Sequence, residues 1–449
     1  MKKLTFAIIM MAACYSYAQV TYNDVAVIVN DSSSNSIEIG AYFQQQRNIP
    51  NENIIHIVAP EQEEIDTATF NAIRLQIEDY LIGNNLKDSI DYLVTTKGVP
   101  LKVRGTENDT IGSGSSSASF DSEIALILGE YSNKIGKNGY AYNTYNHYPS
   151  NFSRDSFGIY LVTRLDAYTK SQVIDLIDRS GPNLLVNKDL SKNIFNIKTN
   201  SILDDLTYDL IESFMSLGMD TLSTGQWNSE IIRDSVQLLN QENVLSYITA
   251  YFNIYEGGLN FDWVDGSLTE CLVSNSAGTF TLTGNPILKV ADLIADGASS
   301  GHGYVYGTYM ADALRTDYVF SKYNNQSTQY NLAESYYSGI RWLSGQDVVI
   351  GDPKTSIMVD IYQSVKEAVA YSDLQIYPNP STGIVRLSQT EGTSINQLEI
   401  RNNLGALVSR MDNLEGKSIL DFSHLPNGIY FLNFQLNNDQ VTKKMIIQK

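Results

Sequence analysis

The pattern that most limits this chain is an alternation, from Asp24 onward, between short continuous apolar runs and stretches whose apolar residues recur every three or four positions. Val25–Asn30 (VAVIVN) has strand length and no polar alternation, as a strand buried on both faces requires. The Ser/Asn-rich segment 31–36 then offers helix N-caps, and Ile39, Tyr42 and Phe43 share one helical face. Residues 54–58 and 91–96 read as further strands, with Phe70, Ile73, Ile77 and Leu81 at helical spacing between them. Such repetition predicts an α/β fold: a doubly wound, mostly parallel sheet with helices on both faces.

The same rhythm runs much further. Residues 160–163 and 244–253 read as strands, 304–306 as a short strand and Asp347–Ile350 as a last one. Val173, Ile174 and Ile177 mark one helix, and Leu206, Leu210, Phe214 and Leu217 a second, closed by Gly218 as its C-cap. Segments 268–273, 287–294 and 331–340 read as helical. Residues 19–365 are therefore expected to form one large α/β unit, with 366–372 as a linker. Two stretches, 106–119 and 129–153, read as surface insertions of Gly, Ser, Asn and Tyr.

Beyond Tyr371 the runs shorten and turn signals separate them. Tyr430, Leu432, Phe434 and Leu436 alternate with period two, and Pro378-Asn379-Pro380 and Pro426-Asn427-Gly428 read as turns. Residues 373–449 are expected to be a small all-β antiparallel sandwich.

At the other end, Lys2 and Lys3, an apolar run and Ser16-Tyr17-Ala18 form a signal peptide over residues 1–18. Met11-Ala12-Ala13-Cys14 also looks like a lipobox, which would lipidate Cys14 instead. With cleavage after Ala18 only Cys271 remains, so no intramolecular disulfide is expected. No later segment is long and apolar enough to cross a membrane as a helix. The formal net charge of −19 repels phosphate backbones, so nucleic acid is not an expected partner.

The tail carries Tyr377-Pro378-Asn379-Pro380-Ser381-Thr382-Gly383, the turn Asn402-Asn403-Leu404-Gly405, Leu425-Pro426-Asn427-Gly428-Ile429-Tyr430 and Lys443-Lys444-Met445-Ile446-Ile447. In that order these resemble the type IX secretion sorting domain of Bacteroidetes. The resemblance implies export to the outer cell surface or the medium through the periplasm, with the type IX machinery as partner of residues 373–449. The large unit resembles an uncharacterised family of secreted bacterial proteins through Thr96-Lys97-Gly98-Val99-Pro100-Leu101, Ser119-Phe120-Asp121-Ser122-Glu123, Thr163-Arg164-Leu165-Asp166 and Val349-Ile350-Gly351-Asp352-Pro353.

More distantly, the order of these pieces is similar to gingipain-type cysteine peptidases, which implies a caspase-like fold. By that resemblance Gly258, in Tyr255-Glu256-Gly257-Gly258-Leu259, stands where the family has its histidine, and the turn 273–280 lacks the nucleophilic cysteine. Calcium is a cofactor the same resemblance implies.

Cysteine peptidase chemistry needs a thiolate and an imidazole within hydrogen-bond reach. Cys271 and His302 could supply them only in reversed chain order. Their structural readings are a buried core thiol on a helix and an exposed histidine in a Gly-His-Gly turn. The four histidines are scattered, and neither a zinc spacing nor a phosphate-binding loop nor a Gly-x-Ser-x-Gly elbow occurs. Asp121, Glu123, Asp166 and Asp352 are the acidic candidates for a metal site or an acid-based enzyme at the carboxyl edge of the sheet. Capping, ion pairing with Arg164 and turn formation are the structural alternatives for them. Two functions follow as expectations: a secreted binding protein without peptidase activity, or a secreted hydrolase.

Overall fold

The computed structural model describes residues 20–105, 117–136, 141–198, 205–234, 237–250, 258–284, 287–307, 313–360, 374–388, 395–402, 405–412, 414, 417–436 and 439–449. The signal peptide with Cys14, most of segment 106–119 and the expected linker 366–372 lie outside them. The chain divides into two compact units, Met1–Asp360 and Ile361–Lys449.

The sheet of the large unit has ten strands: β1 (Val25–Asn30), β2 (Ile54–Ile57), β3 (Tyr92–Thr96), β4 (Leu161–Leu165), β5 (Lys192–Lys198), β6 (Ser229–Asp234), β7 (Val244–Ala250), β8 (Trp263–Cys271), β9 (Gly301–Tyr304) and β10 (Asp347–Ile350). Their spatial order is β6-β5-β7-β8-β9-β10-β4-β3-β1-β2. Neighbours are parallel except β9 and β10, and β10 meets β4 through a parallel bridge between Ile350 and Arg164. All residues of β1, β3, β4 and β7 are buried, which is why their sequences lack alternation.

The principal helices are α1 (Ser34–Arg47), α2 (Thr67–Gly83), α3 (Phe120–Ile124), α4 (Lys170–Asp178), α5 (Asp205–Thr224), α6 (Val290–Asp296), α7 (Thr316–Tyr323) and α8 (Leu332–Gly339). Local chemistry starts several of them: Asp66 accepts from Thr69 N ahead of α2, and Thr169 with Gln172 and Asn331 with Glu334 form capping boxes ahead of α4 and α8. The helices α1, α4 and α6 pack in one row, and α5, α7 and α8 in another. These rows cover opposite faces of the sheet around β9. A Cβ on Gly301 or Gly303 would fall 2.6 or 2.7 Å from Val290 of α6, whereas the ring of Tyr336 in α8 stacks on His302.

Several sequence expectations are corrected. Segment 268–273 is not helical: residues 268–271 end β8, where buried Glu270 pairs with His302 of β9. The Gly-His-Gly segment is not an exposed turn. It is strand β9, and its two glycines let α6 press directly on the backbone. Gly218 does not cap α5 but lies inside it, where a Cβ would meet Thr316 Oγ1 at 2.6 Å. The buried face of α5 is Ile211, Met215, Gly218 and Leu222, while Leu210 and Leu217 are exposed. The stretch 129–153 is anchored by buried Tyr145 and Phe152, whose rings meet edge to face with centroids 5.2 Å apart.

The smaller unit contains β11 (Gln375–Tyr377), β12 (Ile384–Ser388), β13 (Ile395–Asn402), β14 (Leu407–Asp412), β15 (Ile419–Asp421), β16 (Gly428–Leu436) and β17 (Asp439–Ile447). They form two antiparallel sheets, β11-β12-β15 and β14-β13-β16-β17. Period two governs β16: Tyr430, Leu432 and Phe434 are buried and Ile429 and Phe431 exposed. Its own core includes Val385, Leu398, Ile400, Phe422 and Met445.

Candidate functional site

Of the acidic candidates, Asp121 and Asp166 meet at Arg164, while Glu123 and Asp352 lie apart from them. Asp121, in the single turn of α3, takes a bidentate pair from fully buried Arg164: Nε to Oδ2 at 2.9 Å and Nη2 to Oδ1 at 2.7 Å. Arg164 also donates to the carbonyls of Val99 and Pro100, at 3.0 and 2.8 Å. Glu123 points elsewhere, accepting from Gly136 N and Ser344 Oγ, each at 2.8 Å. Burial pushes its pKa up to about 7, against the pull of those two bonds.

Asp166 receives Lys97 Nζ at 3.2 Å, and burial raises its pKa despite that ammonium and Arg164. Asp352 accepts from Tyr22 OH and Arg47 Nε, at 2.8 and 2.7 Å. Because Tyr22 precedes β1, Asp352 lies at the amino end of that strand and not at the carboxyl edge expected for it. Among the described residues no group of three or more His, Cys, Asp or Glu could hold a metal ion.

Cys271 and His302 are close in the sheet but turned apart. Glu270 and His302 are register partners on β8 and β9, and His302 Nδ1 lies 2.5 Å from Glu270 Oε2. Since successive side chains of a strand alternate faces, Cys271 projects to the other side. There its Sγ donates to Leu288 O at 3.2 Å. Burial, with the Glu270 charge beside it, holds the thiol well above its ordinary range.

The imidazole is fully occupied as well. Its Nε2 meets Asp347 Oδ1 at 3.1 Å, and Tyr304 OH donates to the second oxygen of Glu270 at 3.0 Å. Burial pulls the His302 pKa down, but the two carboxylates outweigh it and push it up to about 9. A histidine pKa raised above its ordinary 6.5 contributes stability that is complete below that pH and lost as pH climbs through about 9. Urea unfolding midpoints of wild type and His302→Gln should therefore approach one another between pH 6.5 and 9.5. Parallel curves across that window would remove the cation from this cluster.

A Cβ on Gly258 would fall 3.0 Å from Asp296 Oδ1. Asp296, the last residue of α6, accepts from Leu259 N, Asn260 N, Phe261 N and Trp263 Nε1 at 2.8–3.2 Å. That clamp fixes the loop ahead of β8, at the amino end of the strand that carries Cys271 at its other end. Tyr255-Glu256-Gly257 lie outside the described residues.

At the carboxyl end of β8 the turn resembling a nucleophile loop opens a cavity of about 380 Å³, lined by Ser274, Asn275, Gly278, Thr279, Thr283, Ile287 and Lys289. The turn is pinned from two sides: Phe280 O accepts from Lys97 Nζ at 3.3 Å and Phe280 N donates to Glu63 Oε1 at 2.7 Å. Lys289 is only 7 % exposed, and its Nζ donates to Thr283 Oγ1 at 2.9 Å. Sequence reasoning passed over Lys289. Its signal was a single cation inside the apolar run Ile287-Leu288-Lys289-Val290.

Residues 375–448 match the secretion system C-terminal sorting domain. The tail therefore directs secretion to the cell surface or extracellular space and engages the type IX machinery, and no helix among the described residues is long and apolar enough to cross a membrane. No curated protein matches the chain. Solved structures similar to it include one described as a protease, at 11% identity and a TM-score of 0.44 over 95% of this chain and 98% of that one. Two others are the arginine-specific cysteine proteinase gingipain R (RgpB), at 13% identity and a TM-score of 0.39 over 96% and 99% of the chains, and the complex of the pro- and mature domains of Porphyromonas gingivalis RgpB, at 13% and 0.41 over 95% and 100%.

Proposed function

We propose that this type IX secretion cargo works at the cell surface by binding, without peptidase activity, through the loops where β3, β4 and β8 end. The observation that supports this reading most strongly is the opposition of Cys271 and His302 on two faces of one sheet. The thiol is buried against Leu288 and raised in pKa, and both ring nitrogens of His302 already face carboxylates. Neither group can serve the other as base or nucleophile without breaking the β8–β9 register. The acidic alternative lacks a free carboxylate pair, since Asp121, Asp166 and Asp352 each hold a cationic partner.

Cys271 should resist iodoacetamide in the native chain and react only after urea unfolding, and Cys271→Ala should leave every ligand-binding property unchanged. Incubation with a peptide library, read by mass spectrometry, should yield no cleavage. Peptide turnover that disappears in Cys271→Ala would sink this reading.

A further inference from the structure

Building on that binding reading, we infer that the cavity beyond β8 takes the carboxylate of an acidic sugar, with Lys289 as its counter-ion. An ammonium has three donors, and withdrawing it from water without a partner is costly. Lys289, more than nine-tenths buried, has one hydrogen bond, to Thr283, and no ion pair among the described residues. The charge of nearby Asp292 acts on the ammonium, but its oxygens accept from Tyr168 OH and from the backbone N of Lys289, so it fills neither of the two remaining donors of Nζ. The contrast is Lys322, also buried, whose Nζ is served by Tyr145 OH and Ser150 O and sits 3.8 Å from the centre of the Tyr330 ring. Lys322 is a satisfied structural cation, whereas Lys289 lines a cavity with a single hydrogen bond to its ammonium.

The rest of the lining defines what accompanies the anion. The cavity volume of about 380 Å³ is that of a small-molecule site. Ser274, Thr279 and Thr283 contribute hydroxyls and Asn275 an amide, a set that exchanges hydrogen bonds with a polyol. Ile287, 38 % exposed, offers an apolar wall for the carbon face of a ring. A single ammonium in a chain of formal charge −19 matches a singly charged carboxylate better than a doubly charged phosphate.

The test is calorimetric titration of the full chain with glucuronate, glucose and N-acetylglutamate. Glucuronate should bind at least about tenfold more tightly than glucose, and Lys289→Gln should erase that difference. Ser274→Ala, at an exposed position that leaves the core untouched, should weaken both sugars by about threefold or more at a constant ratio. Equal affinities for glucuronate and glucose in the wild type would overturn the carboxylate assignment, as would an unchanged preference in Lys289→Gln. N-acetylglutamate binding as tightly as glucuronate, or no loss in Ser274→Ala, would overturn the sugar. Peptide cleavage is scored separately through Cys271→Ala, so failure of the acidic-sugar assignment and failure of the non-peptidase reading give different results.

Discussion

Arg164→Met is expected to destabilise the large unit by about 3–5 kcal/mol, the usual cost of removing one partner of a buried ion pair. The guanidinium has no exposed surface and its fork serves both oxygens of Asp121 and the carbonyls of Val99 and Pro100, with Asp166 Oδ2 at 3.6 Å beyond them. Methionine occupies similar volume, so packing is largely conserved and the loss reports the polar network. It leaves Asp121 buried with Thr95 Oγ1 as its remaining side-chain donor, at 3.0 Å. The double variant Asp121→Leu, Arg164→Met should lose less than the sum of the two single losses, because it abolishes the uncompensated charge. Urea unfolding of the three variants measures this. A loss below about 1 kcal/mol for Arg164→Met would mean that water reaches the site and the pair behaves like a surface bridge.

The strands read most readily from sequence were those whose buried residues are mostly apolar. In β1, β3 and β10 the side chains alone announce a strand packed on both sides. The edge strand β6, with exposed and half-buried residues, carries no such run. Strand β5 escaped for a different reason, since Asn193 and Asn196 interrupt its apolar pattern. Both are buried, and their amide oxygens accept from Ser246 Oγ and Tyr247 OH of β7 at 2.8 Å. The partners lie more than fifty positions away in sequence, so no local window contains the reason those asparagines are tolerated.

The same non-locality explains the misreadings at the site. The helical reading of 268–273 lacked a partner thirty-two positions on, since Glu270 pairs with His302 between β8 and β9. Gly301 and Gly303 have the composition of a turn, but their lack of a Cβ serves the approach of Val290. Three of the four acids are held by a cation distant in sequence: Arg164 for Asp121, Lys97 for Asp166 and Arg47 for Asp352. Residue type was legible, whereas direction within the strand and identity of the partner were properties of the folded sheet.

Deleting residues 373–449 should abolish appearance of the protein at the cell surface and in the medium, leaving it in the periplasm with the large unit intact. The sorting match at 375–448 falls within the second compact unit, whose buried residues Val385, Leu398, Ile400, Phe422, Leu432, Phe434 and Met445 form a core separate from that of the sheet. Loss of the tail therefore removes an address without opening the core of the large unit. The truncated protein should keep the melting temperature of that unit and the pH dependence assigned to His302. A single change inside the tail sharpens the test, since Phe434→Asp places an unpaired carboxylate at a fully buried position of β16 and should block export as completely as the deletion. Cell fractionation with immunodetection measures both variants, and full-level export of the truncated chain would show that the signal for the outer surface lies elsewhere.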